Sequence, residues 1–420
     1  MPVGQSAMSR SSTAKLAMCA RFVLYGLTIV LILLTGWLAS WKVGQKRPLI
    51  DFDAFYIVAQ RVWLGDAERA YHLDQFAKMQ TEAVGGKVDL LHWTYPPQFD
   101  LLIAPLALVP VAAAYFLFVA VTLAFYLLIL RAIARSYLAL VVILLSPSLF
   151  LNVACGQNGF LTGGLIGLAC LAIERRQVEA GASLGVMVIK PHLAIAIGLY
   201  ALLARRWGVV ITAAAVVLLS SVLCTLVLGS QIWGAFVDGV RESSAHLESG
   251  TAFALFRSVS VYAVLRTAGL SSSLALLGQA AAAVLSLSVV ALAIYRAMPA
   301  RWSLGFAVIA SLSISPYAYD YDLPILGIGL ALLLPDAARL ASAHERVAIY
   351  GLAFMAGFYG FLQTLRLSIQ YGTGAIEHPV PAFSGCVLII LVWLMLRVLL
   401  RGASDPLPAL QQTPVQPAGR

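Results

Sequence analysis

Long apolar runs separated by short polar breaks dominate this chain. Crossing the hydrocarbon of a bilayer takes about 20 mainly apolar helical residues, fewer where neighbouring helices shelter the ends. Runs of this kind lie at 19–41, 112–130, 137–151, 160–173, 209–228, 274–294, 303–314, 323–334, 347–365 and 383–400. The apolar stretch 180–204 is interrupted by Lys190-Pro191-His192. Proline removes a backbone donor and disrupts a helix, so this stretch reads as two short spans meeting at Lys190. The run 101–109 is closed by Pro105 and Pro110 and is too short to span. It reads as an interfacial or re-entrant helix. The pattern predicts an all-α polytopic membrane protein with about twelve transmembrane helices. A long polar segment, 42–110, follows the first run and carries an amphipathic stretch through Arg61, Glu68 and Tyr71. The predicted organisation is a tail at 1–18, a transmembrane domain at 19–401 and a Pro- and Gln-rich tail at 402–420, expected to be disordered.

Composition narrows the class. The chain has 420 residues, of which 61% are hydrophobic and only 11% charged, which excludes an ordinary soluble domain. The net charge of +9 raises nucleic acid as a partner. The Arg and Lys residues, however, sit in short clusters between apolar runs, which is how topology is encoded in membrane proteins. With the N-terminus inside, the clusters at Arg131/Arg135, Arg175/Arg176, Arg205/Arg206, Arg296/Arg301, Arg339/Arg346 and Arg401 all fall inside, as do both termini. Lys42, Lys46 and Arg47 break the pattern. Anionic headgroups, a phosphate or a plain exception to a statistical rule would each account for them. The five cysteines form no CxxC pair, so neither a metal site nor a disulfide framework is expected. The basic start reads as a cytoplasmic tail rather than a cleaved signal, because the run after it is too long for a signal core.

The same parity brings five polar clusters to the external face. They are Asp51/Asp53, Tyr95-Pro96-Pro97, Gln157/Asn158, Lys190/His192 and Asp320/Asp322. Clusters facing one side predict a single reaction chamber at the outer leaflet. No Walker A or other nucleotide motif is visible, and an external site has no access to cytoplasmic nucleotides. A lipid-linked donor, with its headgroup already across the membrane, avoids that problem. An acceptor hydroxyl needs a base, and Asp51 or Asp53 can supply it. A departing phosphate needs cations and donors, for which Lys190, His192 and Arg257 are candidates. One carboxylate facing a phosphate leaving group would invert the sugar, whereas paired carboxylates belong to glycoside hydrolysis. No divalent metal or cofactor is implied. The ordinary readings stand beside these. Asp51 would be a solvated or helix-capping acid, Lys190 a snorkelling side chain, Gln157 and Asn158 helix caps, and Tyr95-Pro96-Pro97 a turn shaping the cavity.

A resemblance joins these fragments. Asp51-Phe52-Asp53-Ala54-Phe55-Tyr56, Leu64-Gly65, Ala70-Tyr71, Tyr95-Pro96-Pro97, Pro105-Leu106 and Leu108-Val109-Pro110 resemble glycosyltransferase family 87. Gly156-Gln157-Asn158, Lys190-Pro191-His192 and Ser315-Pro316 continue the resemblance in order, from about residue 51 to 323. It implies a GT-C fold, a polyprenyl-phosphate sugar donor, typically mannose, and a lipid or glycan acceptor. It also implies a catalytic Asp opening the first external loop, matched best by Asp51 with Asp53 as fallback. Many members carry Trp and His after the Ser-Pro pair, where this chain has Tyr319-Asp320-Tyr321-Asp322. That departure puts mannose and the acceptor in question and makes Asp320 and Asp322 candidates for contacting sugar hydroxyls or positioning the base. The resulting expectation is a hexosyltransferase of the cell membrane acting at the periplasmic or outer face. A transporter or flippase of a lipid-linked saccharide is the alternative, disfavoured because only one broken segment and no repeat is visible. A non-catalytic membrane scaffold is the third reading, and it has no need of acids facing one chamber.

Overall fold

The computed structural model describes residues 10–41, 46–85, 91–249, 254–371 and 380–404. Lys42, the first nine residues and the Pro- and Gln-rich tail from residue 405 lie outside the described residues. Every regular element among the described residues is a helix. In chain order they begin with α1 (Arg10–Ser40), α2 (Asp51–Leu64), α3 (Leu73–Val84), α4 (Pro97–Ile103), α5 (Val111–Ala134) and α6 (Leu138–Cys155). Next come α7 (Gly159–Ala172), α8 (Gln177–Val186), α9 (Ile195–Leu203), α10 (Trp207–Leu228), α11 (Gln231–Ser249) and α12 (Val261–Thr267). The last are α13 (Ser272–Tyr295), α14 (Ala300–Ile314), α15 (Pro324–Leu340), α16 (Ala343–Tyr371) and α17 (Ser384–Ser404).

Six stretches are long and apolar enough to cross a membrane: Ala14–Ser40, Val111–Cys155, Trp207–Leu228, Ser272–Tyr295, Ala343–Gln370 and Ser384–Gly402. The second contains both α5 and α6, joined through a turn at Arg135–Tyr137. The remaining apolar helices α7, α8, α9, α14 and α15 are shorter, and their shortness is what builds the site. At 1.5 Å per residue, the 14-residue α7 rises about 21 Å and the 22-residue α10 about 33 Å. Helix α8, extended by the tight turn Met187–Ile189, also rises about 21 Å.

These helices share a level at one end. The Gly208 N–H at the start of α10 donates to Gln177 Oε1 at the start of α8 (3.0 Å). Glu174, after α7, accepts from Tyr200 in α9 (3.1 Å) and pairs with Arg206. Arg301 of α14 and Arg339 pair with Asp336 of α15 at 2.6 and 3.4 Å. Level at this end and shorter than α10, these helices stop below its far end, and the loops at their other ends meet in the space left. Helix α4 enters the same level. Its Gln98 donates to Ser221, the fifteenth residue of α10 (2.9 Å) and thus about 21 Å along it. The stretch 101–109 folds as the end of α4 and the tight helix Ala104–Leu108. The amphipathic segment 51–84 folds as α2, the short helix Ala67–Tyr71 and α3, and these with α11 close over the loops.

Candidate active site

Asp51 is the first residue of α2, and the local sequence dictates why the helix starts there. Asp53, in the same turn, accepts the Ile50 N–H at 2.9 Å. This satisfies one of the donors that a helix start leaves open, and both acids lie at the positive end of the helix. Arg47 grips the Asp53 carboxylate through two nitrogens, one at 2.7 Å. Asp53 is therefore buried and paired, and it does not line the cavity. Asp51 does line it and is the one acid that does so among the described residues.

Asp51 is oriented from α7's approach. Gly156 takes a left-handed conformation (φ 66°) and turns the chain from α6 toward α7. Gln157 then donates through Nε2 to Asp51 Oδ2 at 3.0 Å. Its Oε1 accepts from the Tyr95 hydroxyl (3.2 Å) and the Asn158 N–H (3.1 Å). Two donors on the oxygen fix which end of the amide faces Asp51. Asn158 is buried at the N-cap position of α7, makes no side-chain cap bond and does not line the cavity. Tyr95 is held by an aromatic wall with Trp93, Phe99 and Phe55. Buried Asp100 anchors that wall by accepting from Trp93 Nε1 (3.0 Å) and the Tyr71 hydroxyl (2.9 Å).

Two cations reach the cavity from separate elements, and one short segment collects both. Lys190, at the break between α8 and α9, pairs with Asp322 Oδ1 at 2.7 Å. Arg257, from the short helix Leu255–Arg257, pairs with Asp320 at 3.2 Å. Asp320 and Asp322 lie behind the cations, fully buried, and do not line the cavity. This corrects the expectation that they touch sugar hydroxyls. The lining side chains are Tyr319 and Tyr321, which sequence reasoning passed over. Their rings stack at 5.3 Å, with Lys190 Nζ 4.7 Å from the Tyr321 centroid. The segment is itself pinned. Asn152 donates to Tyr321 O (2.6 Å), Ser148 to Asp320 O (2.8 Å), and the Tyr319 N–H to Asp322 Oδ2 (3.1 Å).

Burial raises the Asp320 carboxyl to about 6, against the lowering pull of Arg257. His192 lines the cavity, and burial lowers its imidazole to about 4, with Asp322 raising and Lys190 lowering it further. The ring is held neutral and can serve as a donor rather than a cation, and its Nε2 is buried without a hydrogen-bond partner among the described residues. The rim carries His92, whose ring lies 5.1 Å from that of His246 on α11. Burial, then the neighbouring His246, lowers His92 to about 4. Phe236, Val240, Ser243 and Ser244 of α11 complete the roof of a cavity of about 390 Å³. Of the sequence candidates, Asp51, Tyr95, Gln157, Lys190, His192 and Arg257 converge on it.

A family model described as glycosyltransferase family 87 matches residues 93–316. That stretch includes Tyr95, Gln157, Lys190, His192 and Arg257, and it ends short of the Tyr319–Asp322 segment. No curated protein and no solved structure matches the chain.

Proposed function

The chain belongs to glycosyltransferase family 87, and on that premise we propose that it transfers a hexose, mannose favoured, from a polyprenyl-phosphate donor to a lipid or glycan hydroxyl. Asp51 is the general base. The observation that supports this reading most is the cavity itself, where one acid, held by a directed amide, faces a wall carrying two cations. Asp51 takes the acceptor's hydroxyl proton as that oxygen attacks the anomeric carbon. The bond from that carbon to the phosphate oxygen breaks, and polyprenyl phosphate departs with the electron pair. Attack opposite the leaving group inverts the sugar. Lys190 and Arg257 meet the charge that develops on the departing phosphate, and neutral His192 offers one ring N–H donor or a ring acceptor. The arginine-rich ends of the bundle lie opposite the site, and by the positive-inside rule this supports a reaction at the external face of the cell membrane.

The test uses purified protein in lipid nanodiscs, radiolabelled polyprenyl-phosphate mannose and a lipid extract from the source cells. Label should enter a new glycolipid with wild type, and Asp51→Asn should lower the rate about 10²–10⁴-fold, the usual weight of a general base. Transfer at full rate by Asp51→Asn would remove the base assignment. No transfer by wild type from mannose or from a panel of other lipid-linked sugars would move the transporter reading ahead.

A further inference from the structure

A second cavity, of about 500 Å³, lies at the opposite end of the bundle from the site. It is bounded by Ala17, Ala20 and Leu24 of α1, by Leu127 and Leu128 near the end of α5, and by Ala139 at the start of α6. Two residues break its apolar lining, Arg21 of α1 and Arg131 in the last turn of α5. Both are exposed, and neither has an acidic partner among the described residues. Arginines at helix ends are ordinary markers of topology. Two arginines on different helices at one apolar cleft make a different arrangement. A cleft with alanine and leucine walls accepts a hydrocarbon chain, and two guanidiniums lining it complement the charge of a phosphate diester.

We propose that this cleft binds an anionic glycerophospholipid, with an acyl chain between α1, α5 and α6 and its phosphate between Arg21 and Arg131. The charge decides the occupant. A zwitterionic lipid carries its own cation beside the phosphate and gains less from two arginines, whereas an anionic headgroup is drawn to basic pockets between transmembrane helices. The lipid fills the gap left where α1 packs against α5 and α6, at the leaflet opposite the site.

Native mass spectrometry of the full chain, released from mixed micelles of phosphatidylglycerol and phosphatidylcholine at equal concentration, tests this. Wild type should retain phosphatidylglycerol about tenfold over phosphatidylcholine. The double variant Arg21→Gln, Arg131→Gln should lose the preference, and millimolar inorganic phosphate should not compete with the lipid. Ala139→Phe, which fills the cleft and keeps both charges, should weaken retention of either lipid. Equal retention by wild type overturns the proposal without reference to any variant. An undiminished preference in the double variant places the anionic lipid elsewhere, and competition by inorganic phosphate reduces the site to an ion site. Transfer activity is not the readout, so these outcomes are independent of the donor and base assignments.

Discussion

Gly159→Ala tests the idea that the backbone position of the Tyr319–Asp322 segment sets where both cations sit. Gly159 is the first residue of α7, and a Cβ built on it lies 1.8 Å from Tyr321 O and 2.7 Å from Asn152 Oδ1. Real Cβ atoms essentially never come within 3.0 Å, so the Tyr321 carbonyl must retreat by at least 1.2 Å, the difference between those two distances. Tyr321 lies between Asp320 and Asp322, which hold Arg257 and Lys190. The retreat therefore carries both ion pairs, and it strains the 2.6 Å bond from Asn152. Overpacking of this size costs about 1–3 kcal/mol of stability. A displacement near 1 Å in a catalytic constellation costs about 10²-fold in rate. The assay is steady-state transfer in nanodiscs, with thermal unfolding in parallel. A Cβ on Gly198, in α9, meets nothing within 4 Å, so Gly198→Ala is the control and should leave activity within about threefold. If Gly159→Ala folds and transfers at the rate of the control, the Tyr319–Asp322 segment does not set the cation positions, and the reasoning fails.

Three further expectations follow from the same contacts. Asp322→Asn leaves Lys190 buried without its counter-charge and should destabilise the protein by about 3–5 kcal/mol, read by thermal unfolding; Asp322→Asn with Lys190→Met should restore stability without restoring transfer. Asp320, raised to about 6, is charged at pH 7 and loses that charge as pH falls through about 6, leaving Arg257 uncompensated. The donor's KM should therefore fall below pH 6 in wild type, and Asp320→Asn should show the low KM across the range; a KM that is flat with pH in wild type refutes this. Gln157→Glu places a carboxylate oxygen where an amide nitrogen now lies 3.0 Å from Asp51, so the two acids must share a proton. The acid limb of its pH–rate profile should move to higher pH, and a limb coincident with wild type would show that Gln157 does not orient the base.

The helices and their order were legible in the chain because hydrocarbon imposes a simple constraint. A backbone in lipid must bond internally, so each crossing is an apolar run with polar punctuation. The break at Lys190-Pro191 was legible for a similar reason, since proline cannot continue the helical ladder. The polar positions of the site were legible as Asp51, Gln157, Lys190 and Arg257, since charge and amide groups are rare in such a sequence and need a use. Their roles were not. Asp51 and Asp53 are two residues apart and chemically alike, and what separates them is Arg47 closing on Asp53 and Gln157 reaching Asp51 from over a hundred positions away. Asp320 and Asp322 read as substrate contacts until folding turned them behind Tyr319 and Tyr321. His192 reads in the chain as either a cation or a donor for phosphate, and only the fold lowers its imidazole to about 4, because burial is a property of everything packed around a residue. A run of side chains states which chemistry is present. Which groups face the cavity, and which are consumed in holding others, depends on helices of unequal rise meeting at one level, and that exists only once they are packed.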